Sequence, residues 1–303
     1  MTRNLISILQ LIRLPNVLTA AADSLAGWLL VGGSLREWPG WLPLAIASMV
    51  LYAAGLALND AFDVEIDRRE RPGRPIPSGR VSREAALTCG AVGLGAGPLL
   101  AGLSGSIGSL VVAAVLAAVI LAYDGGVKRT ILGPVFMGTC RALNLLLGMS
   151  HAPGLGGPVA WLAAAAFGLF VAGITWISRS ETETGRTGNL HLGLTLENVA
   201  LLWLNAAALQ PRSFPQPLPG RPVIPLEGLL VLALVALAVN LAASGAIRQP
   251  TPRTMQRAVK VGILALVWID VGLVAAVRGV LPAVAVAAIW LPAYVLGRWL
   301  YST

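Results

Sequence analysis

Long apolar stretches, separated by short polar segments, make up most of the chain. Ten of them approach the roughly 20 predominantly apolar residues that a helix needs to cross a bilayer. The predicted spans cover residues 14–32, 42–60, 85–103, 107–123, 131–149, 159–178, 194–210, 225–246, 258–277 and 281–300. This pattern predicts an all-α, polytopic transmembrane bundle.

The composition supports a membrane protein. Of the 303 residues, 56% are hydrophobic and 12% are charged, whereas a soluble domain carries about 25% charged residues. The net charge of +8 is therefore interpreted by its position relative to the membrane, and no nucleic-acid partner is expected. Cys89 and Cys140 show neither a disulfide framework nor a Cys-x-x-Cys metal spacing. We expect one integral-membrane domain over residues 1–303.

The basic residues are distributed unevenly between the two sides of the predicted spans. With the N-terminus in the cytoplasm, 17 of the 22 Lys and Arg residues fall in cytoplasmic segments, four fall outside and Arg141 lies within a span. Cytoplasmic loops of membrane proteins carry an excess of Lys and Arg. We therefore expect a multi-pass protein of a bacterial or archaeal inner membrane, with its N-terminus and both acidic loops, 64–83 and 179–193, in the cytoplasm.

Residues 59–80 differ from the rest of the chain in their density of charge. They read NDAFDVEIDRRERPGRPIPSGR and hold five of the fourteen acidic residues. These acids are Asp60, Asp63, Glu65, Asp67 and Glu70. The arginines of the loop and its edge are Arg68, Arg69, Arg71, Arg74, Arg80 and Arg83. Because charge is costly in hydrocarbon, this segment must be the water-facing end of a helix and the loop after it.

The spacing of the polar residues in this segment predicts a metal site. If residues 52–67 form one continuous helix, Asn59, Asp63 and Asp67 lie at i, i+4 and i+8 along one face, with Asp60 on its edge. An amide with two or three carboxylates is an oxygen-only ligand set. Such a set suits Mg²⁺, which takes few protein carboxylates and completes its shell with phosphate oxygens and water.

The loop that follows is stiffened by Pro72, Pro75 and Pro77, so it cannot continue the helix. Its arginines can bind a phosphate group through bidentate hydrogen bonds. The alternative is a loop whose arginines set the membrane topology and whose acids balance them. The acids at helical spacing beside a proline-rich loop favour the metal and phosphate interpretation.

The segment resembles the first aspartate-rich motif of the UbiA superfamily of intramembrane prenyltransferases, NDxxDxxxD followed by RPxRPIxSG. The matching residues are Asn59, Asp60, Asp63, Asp67, Arg71, Pro72, Arg74, Pro75, Ile76, Ser78 and Gly79. The resemblance implies an all-helical bundle of two four-helix repeats around a central cavity that opens to the cytoplasm. The superfamily typically has nine helices, so we expect nine to ten. It also implies a Mg²⁺ cofactor and a prenyl diphosphate donor.

A second acidic segment, residues 177–186, departs from the superfamily's pattern of two aspartates four residues apart. Here Glu181 and Glu183 are two residues apart, so on a helix they point to different faces. In this respect the chain is similar to the EboC-like branch of the superfamily. The alternative is a short polar loop with incidental glutamates. By the resemblance, Glu181 and Glu183 complete the predicted metal ligands, and Arg179 beside them is a predicted substrate contact.

The resemblance also singles out the segment between Tyr123 and Arg129. A lysine of the superfamily at this place binds the diphosphate, which makes Lys128 the first candidate and Arg129 the second. The predicted catalytic residues are therefore Asp63, Asp67 and Lys128. The substrate contacts predicted on this side are Tyr123, Lys128, Arg129 and Arg74.

Other polar residues lie inside apolar helices or at their mouths. Arg141 and Asn144, three residues apart, are expected to face a cavity, because a charge in mid-membrane costs about 2.5 kcal/mol or more. They are predicted to anchor the diphosphate or a polar acceptor. Arg13 and Asn16, at the start of the first span, are predicted acceptor-side groups, with snorkelling of Arg13 to the lipid headgroups as the alternative.

Together these features predict a Mg²⁺-dependent prenyltransferase that moves a prenyl group from a prenyl diphosphate to a small hydrophobic or aromatic acceptor, in contact with membrane lipid. The alternatives are a UbiA-type terpene cyclase and a non-catalytic lipid-binding or transport relative. A CDP-alcohol phosphotransferase fits less well. Asp124, Gly125 and the following basic pair resemble its DGxxAR signature, but Ala142 and Leu146 replace its closing aspartates.

Overall fold

The computed structural model describes residues 3–179, 187–216 and 224–300. Within these ranges the chain forms twelve α-helices and no β-strand. The helices are α1 Arg3–Leu11, α2 Leu14–Leu30, α3 Trp38–Phe62, α4 Val64–Glu70, α5 Arg83–Gly102, α6 Ile107–Asp124, α7 Gly133–Met149, α8 Gly157–Ser178, α9 Gly188–Ala208, α10 Leu226–Arg248, α11 Pro252–Arg278 and α12 Val280–Leu300. The prediction of an all-α protein is confirmed.

Each of the ten predicted spans coincides with one helix, namely α2, α3 or one of α5 to α12. Six helices of the described ranges are long and apolar enough to cross a membrane by themselves: α3, α5, α6, α8 with the short 3-10 helix before it, α10 and α11. The exact number of spans therefore stays a prediction. The two short helices α1 and α4 lie outside the ten predicted spans, α1 before the first span and α4 within the charged segment after α3.

Helix α2 lies at the centre of the bundle. It packs against α3, α7, α11 and α12, and fourteen of its 17 residues are buried. Glycines bring α2 and α7 into backbone contact. A Cβ atom at Gly148 would lie 1.9 Å from the carbonyl oxygen of Ser24, and one at Gly27 would lie 2.1 Å from that of Leu145. Small residues of this kind allow helices in membranes to approach closely, where packing replaces the hydrophobic effect.

The order of helix contacts is the same in two parts of the chain. In the first part, α2 packs on α3, α3 on α5 and α5 on α6; in the second, α7 packs on α8, α8 on α9 and α9 on α10. A duplicated four-helix unit predicts this order of contacts. The duplication itself stays a prediction, since a shared contact order does not establish a common origin of the two parts.

We expect Gly148→Ala to destabilise the protein by about 1 to 3 kcal/mol, the usual cost of overpacking a well-filled interface. The physical reason is the clash of the added methyl group with the backbone of α2. Thermal unfolding of the purified protein in detergent measures the effect. Gly95→Ala on α5 is the matched control, because nothing lies within 4 Å of a Cβ atom at Gly95. Equal midpoints for the two variants would contradict the close contact of α2 and α7.

Candidate functional site

The acidic segment bends where the sequence predicted one straight helix. Helix α3 ends at Phe62, and Asp63 has backbone angles φ −96° and ψ 9° before α4 begins at Val64. The predicted continuous helix over 52–67 is therefore wrong, and Asp67 contacts Arg74 whereas Asp63 contacts Lys128. On a straight helix, like charges one turn apart are unfavourable. The bend lets the aspartates meet different cations.

Asp60 and Asp67 form the first charged cluster, held together by arginines. Arg74 Nη1 lies 2.6 Å from Asp67 Oδ2 and 3.3 Å from Asp60 Oδ1. Arg13 Nη2 lies 2.8 Å from Asp60 Oδ1. Both carboxylates are almost completely buried, so their pairing with arginine compensates for the loss of hydration. These ion pairs hold the proline-rich loop against α3 and α4.

Asp63 belongs to a second cluster, centred on Lys128. Lys128 Nζ lies 2.7 Å from Asp63 Oδ2 and 3.7 Å from Asp124 Oδ1. Asn59 Nδ2 donates a hydrogen bond of 2.8 Å to Asp124 Oδ1, and Arg129 Nη2 lies 3.3 Å from Asp63 Oδ1. The predicted catalytic pair Asp63 and Lys128 is thus brought into direct contact, although the two residues are 65 positions apart in the sequence.

Local backbone geometry places Lys128 at this cluster. Helix α6 ends at Asp124, and Gly126 has φ 147°, a value that side-chain-bearing residues rarely adopt. A short 3-10 helix, Val127–Arg129, follows the turn. Arg179, at the end of α8, donates hydrogen bonds to the backbone carbonyl groups of Lys128 and Thr130. The predicted substrate contact Arg179 therefore holds the loop that carries Lys128.

Asp124 is a residue of this site that the sequence interpretation did not include. It is 4% exposed and joins Asn59 to Lys128. One signal was present in the sequence, since Asp124 precedes Lys128 by four residues, the spacing of a helical ion pair. The glycines between the two residues indicate the end of a helix, so the sequence did not predict a helical ion pair there.

The donor chemistry of the second cluster fits Mg²⁺. Among the described ranges, no group of three or more His, Cys, Asp or Glu side chains converges on one point. Magnesium is usually held by only one or two carboxylates together with substrate phosphates, and Asp63 with the Asn59 amide meets this requirement. Asp60 and Asp67 belong to the other cluster, with Arg13 and Arg74. The predicted ligands Glu181 and Glu183 lie outside the described residues.

A cavity of about 220 Å³ between α3, α6 and α7 begins at this cluster. Its polar end includes Asn59, Tyr123 and Asp124, and Arg13 also reaches it. Its walls are mainly apolar and include Leu51, Leu56, Leu116, Ile120 and Met137. The arrangement joins a charged end to an apolar interior, as a ligand with an anionic head and a hydrocarbon chain requires. The predicted contact Tyr123 thus lines the cavity.

Arg141 and Asn144 line the same cavity but are held by a buried network. Arg141 Nη1 lies 2.6 Å from Asp23 Oδ2, and its Nη2 donates to Thr19 Oγ1 at 3.1 Å. Asn144 Nδ2 donates to Asp23 Oδ2 at 3.0 Å and accepts a hydrogen bond of 2.6 Å from Ser48. These contacts tie α7 to α2 and α3. The guanidinium that was predicted to anchor a substrate is thus paired inside the protein.

The predicted acceptor-side residues lie on another side of α2. Arg13 is the residue before α2 and adopts a left-handed conformation with φ 46°, which directs the chain from α1 into α2. Asn16 lines a separate groove between α2, α11 and α12. The structure therefore brings Arg13 to the first charged cluster and leaves Asn16 facing the groove.

The charged clusters lie at one end of an apolar helical bundle, over a cavity that runs into it. This arrangement defines an integral membrane protein with a ligand site between its helices. The sequence model of the UbiA prenyltransferase family matches residues 21–260, and the chain belongs to this family.

Several relatives share the name digeranylgeranylglyceryl phosphate synthase. The protein from Methanopyrus kandleri is 34% identical over 278 residues, which cover 84% of this chain and 94% of that relative. The proteins from Metallosphaera sedula and Saccharolobus solfataricus are 37% and 33% identical over 142 and 147 residues. These two matches cover 46% and 47% of this chain, and the chain spans about half the length of these two curated relatives.

Two solved structures share the fold. The chain aligns with a structure of digeranylgeranylglyceryl phosphate synthase in membranes at a TM-score of 0.62 and 20% identity, over 91% of this chain and 100% of the other. The apo structure of a UbiA homolog from Aeropyrum pernix K1 gives a TM-score of 0.66 at 19% identity, over 85% and 96%. At such identities the likeness shows the fold alone.

The buried network around Arg141 generates a prediction about stability. We expect Asp23→Ala to destabilise the protein by about 3 to 5 kcal/mol, because it leaves the Arg141 guanidinium buried without its carboxylate. The double variant Asp23→Leu with Arg141→Met should recover most of the loss, since an apolar pair removes both charges. Unfolding midpoints in detergent measure both effects. A double variant less stable than Asp23→Ala would contradict this role of the ion pair.

Proposed function

We propose that the protein is an intramembrane prenyltransferase, which moves a prenyl group from a prenyl diphosphate to a hydroxyl group of a phosphorylated acceptor. Membership in the UbiA prenyltransferase family supports the reaction class. The observation that carries the proposal is the position of Lys128, whose ammonium group meets Asp63 and Asp124 at the charged end of an apolar cavity.

The acceptor class rests on the relatives' name. A digeranylgeranylglyceryl phosphate carries two geranylgeranyl groups on glyceryl phosphate, so the relatives' name implies prenyl transfer to a glyceryl phosphate acceptor. The aromatic acceptor expected from the sequence has no such support. We therefore propose a hydroxyl group as the nucleophile.

The charged end of the cavity would bind the diphosphate of the donor. Lys128 and Arg129 supply positive charge there, and the prenyl chain would extend between apolar residues such as Leu116 and Ile120. As the bond between the first prenyl carbon and the diphosphate oxygen breaks, the electron pair leaves with the diphosphate. The allylic carbon then carries positive charge, and the apolar walls exclude the water that would trap it.

Asn59 and Asp63 are the described residues that we propose to hold Mg²⁺, with Glu181 and Glu183 as predicted ligands from the second segment. When bound, the ion would supply Lewis-acid neutralisation of the diphosphate charge and a template for its orientation. Asp60 and Asp67 position the proline-rich loop through Arg74.

Asp124 is the residue that we propose to take the proton of the acceptor. When the acceptor oxygen forms its bond to the prenyl carbon, its hydroxyl proton must be transferred to a base. Among the described residues that line the cavity, Asp124 is the only carboxylate. Its hydrogen bond from Asn59 fixes the orientation of the carboxylate in the absence of substrate.

The wider architecture of the proposal follows from the sequence. We propose a single domain over residues 1–303 with nine to ten spans, built from two four-helix repeats. The excess of basic residues on one side supports a cytoplasmic location for the N-terminus and both acidic loops. The diphosphate end of the cavity would then open to the side on which soluble phosphorylated metabolites occur.

Asp124→Asn should lower prenyl transfer by about 10²-fold or more, the usual contribution of a general base. Diphosphate release from the donor alone should persist, because Lys128 and Asp63 are unchanged. Asp63→Ala should abolish both reactions. Separate assays of diphosphate release and of prenylated product, with geranylgeranyl diphosphate and Mg²⁺, measure the two steps.

Glu65→Gln is the matched control for these variants, because Glu65 is exposed and pairs only with Arg68 among the described residues. It should leave both reactions unchanged. Full transfer by Asp124→Asn would refute the role of Asp124. Release by Asp63→Ala at the wild-type rate would remove the second cluster from the chemistry, and product formed by cyclisation of the donor alone would identify a terpene cyclase.

The orientation is tested by cysteine labelling in whole cells. In a variant without Cys89 and Cys140, single cysteines at Glu70 and at Arg186 should resist an impermeant thiol reagent added outside. A cysteine at Arg36, in the predicted external loop between α2 and α3, should react and serves as the control. Labelling at position 70 or 186 in intact cells would overturn the proposed orientation.

A further inference from the structure

Asp270 is a buried carboxyl group that the proposed reaction does not use. It lies on α11 within a run of consecutive buried residues, 269–278, and its exposed fraction is 0%. Neither of its oxygens accepts a hydrogen bond from the described part of the chain. A buried polar group without a partner is costly, and a charged one is more so. The position of Asp270 therefore requires an explanation.

The neighbour that Asp270 meets is another carboxyl group, that of Asp23 on α2. The two groups lie within hydrogen-bonding range of each other, and both residues are 0% exposed. Asp23 Oδ2 accepts hydrogen bonds from Arg141 and Asn144, whereas Asp23 Oδ1 accepts none from the described residues. Three oxygens of the pair thus lack a donor. Because an ionised carboxylate can only accept, the two groups can bond to each other only if one of them is protonated.

The charges around the pair do not balance when both acids are ionised. Asp23 and Arg141 are the charged groups that act on Asp270, and one guanidinium cannot neutralise two carboxylates. Helix α8, which also packs on α11, has no ionisable side chain. None of the described ionisable groups on α9, α10, α12 and the 3-10 helix Pro211–Ser213 is hydrogen-bonded to Asp270; they are His191, Glu197, Arg212, Glu227, Arg248 and Tyr294.

We infer that Asp23 and Asp270 form a proton-binding site, in which Asp270 is a neutral acid that donates a hydrogen bond to Asp23 Oδ1. Arg141 and Asn144 stabilise the negative charge of Asp23, so the proton belongs on Asp270. One proton makes the group of two acids and one guanidinium neutral and supplies the missing donor. Carboxyl groups this close share a proton because two like charges cannot both be sustained.

A metal ion fits the same place less well than a proton. Hard cations such as Mg²⁺ and Ca²⁺ take about six or more oxygen ligands. Here three carboxyl oxygens lack a partner, and the fourth is already bonded to Arg141 and Asn144. A proton needs only one donor oxygen and one acceptor oxygen.

The bound proton links three helices at the centre of the bundle. Helix α2 packs on both α7 and α11, and the Asp23 partners Arg141 and Asn144 line the cavity between α3, α6 and α7. Loss of the proton would place a second negative charge against Asp23 and would compete for Arg141. The site therefore makes the contact of α2 with α11, and the position of one cavity wall, dependent on pH. This inference goes beyond the proposed function and does not depend on the reaction that the cavity serves.

Infrared spectroscopy of the full-length protein in detergent at neutral pH tests the protonation directly. The wild-type spectrum should contain the carbonyl band of a neutral carboxylic acid that is missing from Asp270→Asn. Glu197 is also buried, but it is present in both proteins, so its contribution cancels. Asp270→Leu is a second variant for the same comparison, because it removes the carboxyl group without adding a polar one. Glu65→Gln is the control and should keep the band, since Glu65 is exposed.

The pH dependence of unfolding tests the same proton by its release. Above the ordinary titration range of aspartate, about pH 4, the unfolded chain has lost a proton that the folded protein keeps. Unfolding therefore releases one proton, and stability falls as the pH rises. Relative to Asp270→Asn, the wild-type unfolding equilibrium constant should increase about tenfold per pH unit until the folded protein also loses the proton. The carboxamide of Asp270→Asn donates to Asp23 without titrating.

Three results would overturn the inference. The first is an acid band of equal size in the wild type and in Asp270→Asn or Asp270→Leu. The second is a parallel pH dependence of unfolding for the wild type and Asp270→Asn. The third concerns a bound cation, and compares unfolding in sodium chloride with unfolding in choline chloride at equal ionic strength. We expect no difference between the two salts. Stabilisation of the wild type by sodium, absent in Asp270→Asn, would identify a cation site in place of the proton.

Discussion

A buried carboxylate that stays ionised in an apolar helical bundle must be accompanied by a cation, because removing a single charge from water costs far more than a folded protein can sustain. In this protein the cations come from distant parts of the chain. Asp23 on α2 is neutralised by Arg141 on α7, and Asp63 after α3 is neutralised by Lys128 after α6. Each pair joins helices that neighbouring sequence does not connect, so the pairs help to determine how the bundle assembles.

The same requirement shapes the ligand sites. Two clusters of acids and cations lie at one end of the bundle, and each is placed beside a cavity with an apolar interior. The cluster around Lys128 adjoins the proposed donor cavity, and the arginines around Asp60 line a second cavity. Arg13 borders both sites. The charges that stabilise the bundle thus also present positive groups beside both cavities.

Much of the fold was accessible from the sequence because hydrophobic length is a strong constraint in a membrane. All ten predicted spans coincide with helices, and the aspartate-rich segment lies at a helix end, as its charge demanded. The family motif was equally readable, since NDxxDxxxD with RPxRPIxSG is long and specific. One missed detail is local. Helix α3 stops at Phe62, and spacing along the sequence carries no information about such a bend.

What the sequence by itself determined is the helical membrane bundle, its family and the list of charged residues near its site. Only the tertiary structure decided how those charges are paired. Asp67 contacts Arg74 instead of sharing a face with Asp63. Asp124 contacts both Asn59 and Lys128. Arg141 forms an ion pair with Asp23. The physical reason is that pairing of buried charges depends on which helices lie side by side, and that contact is settled by packing across the whole bundle.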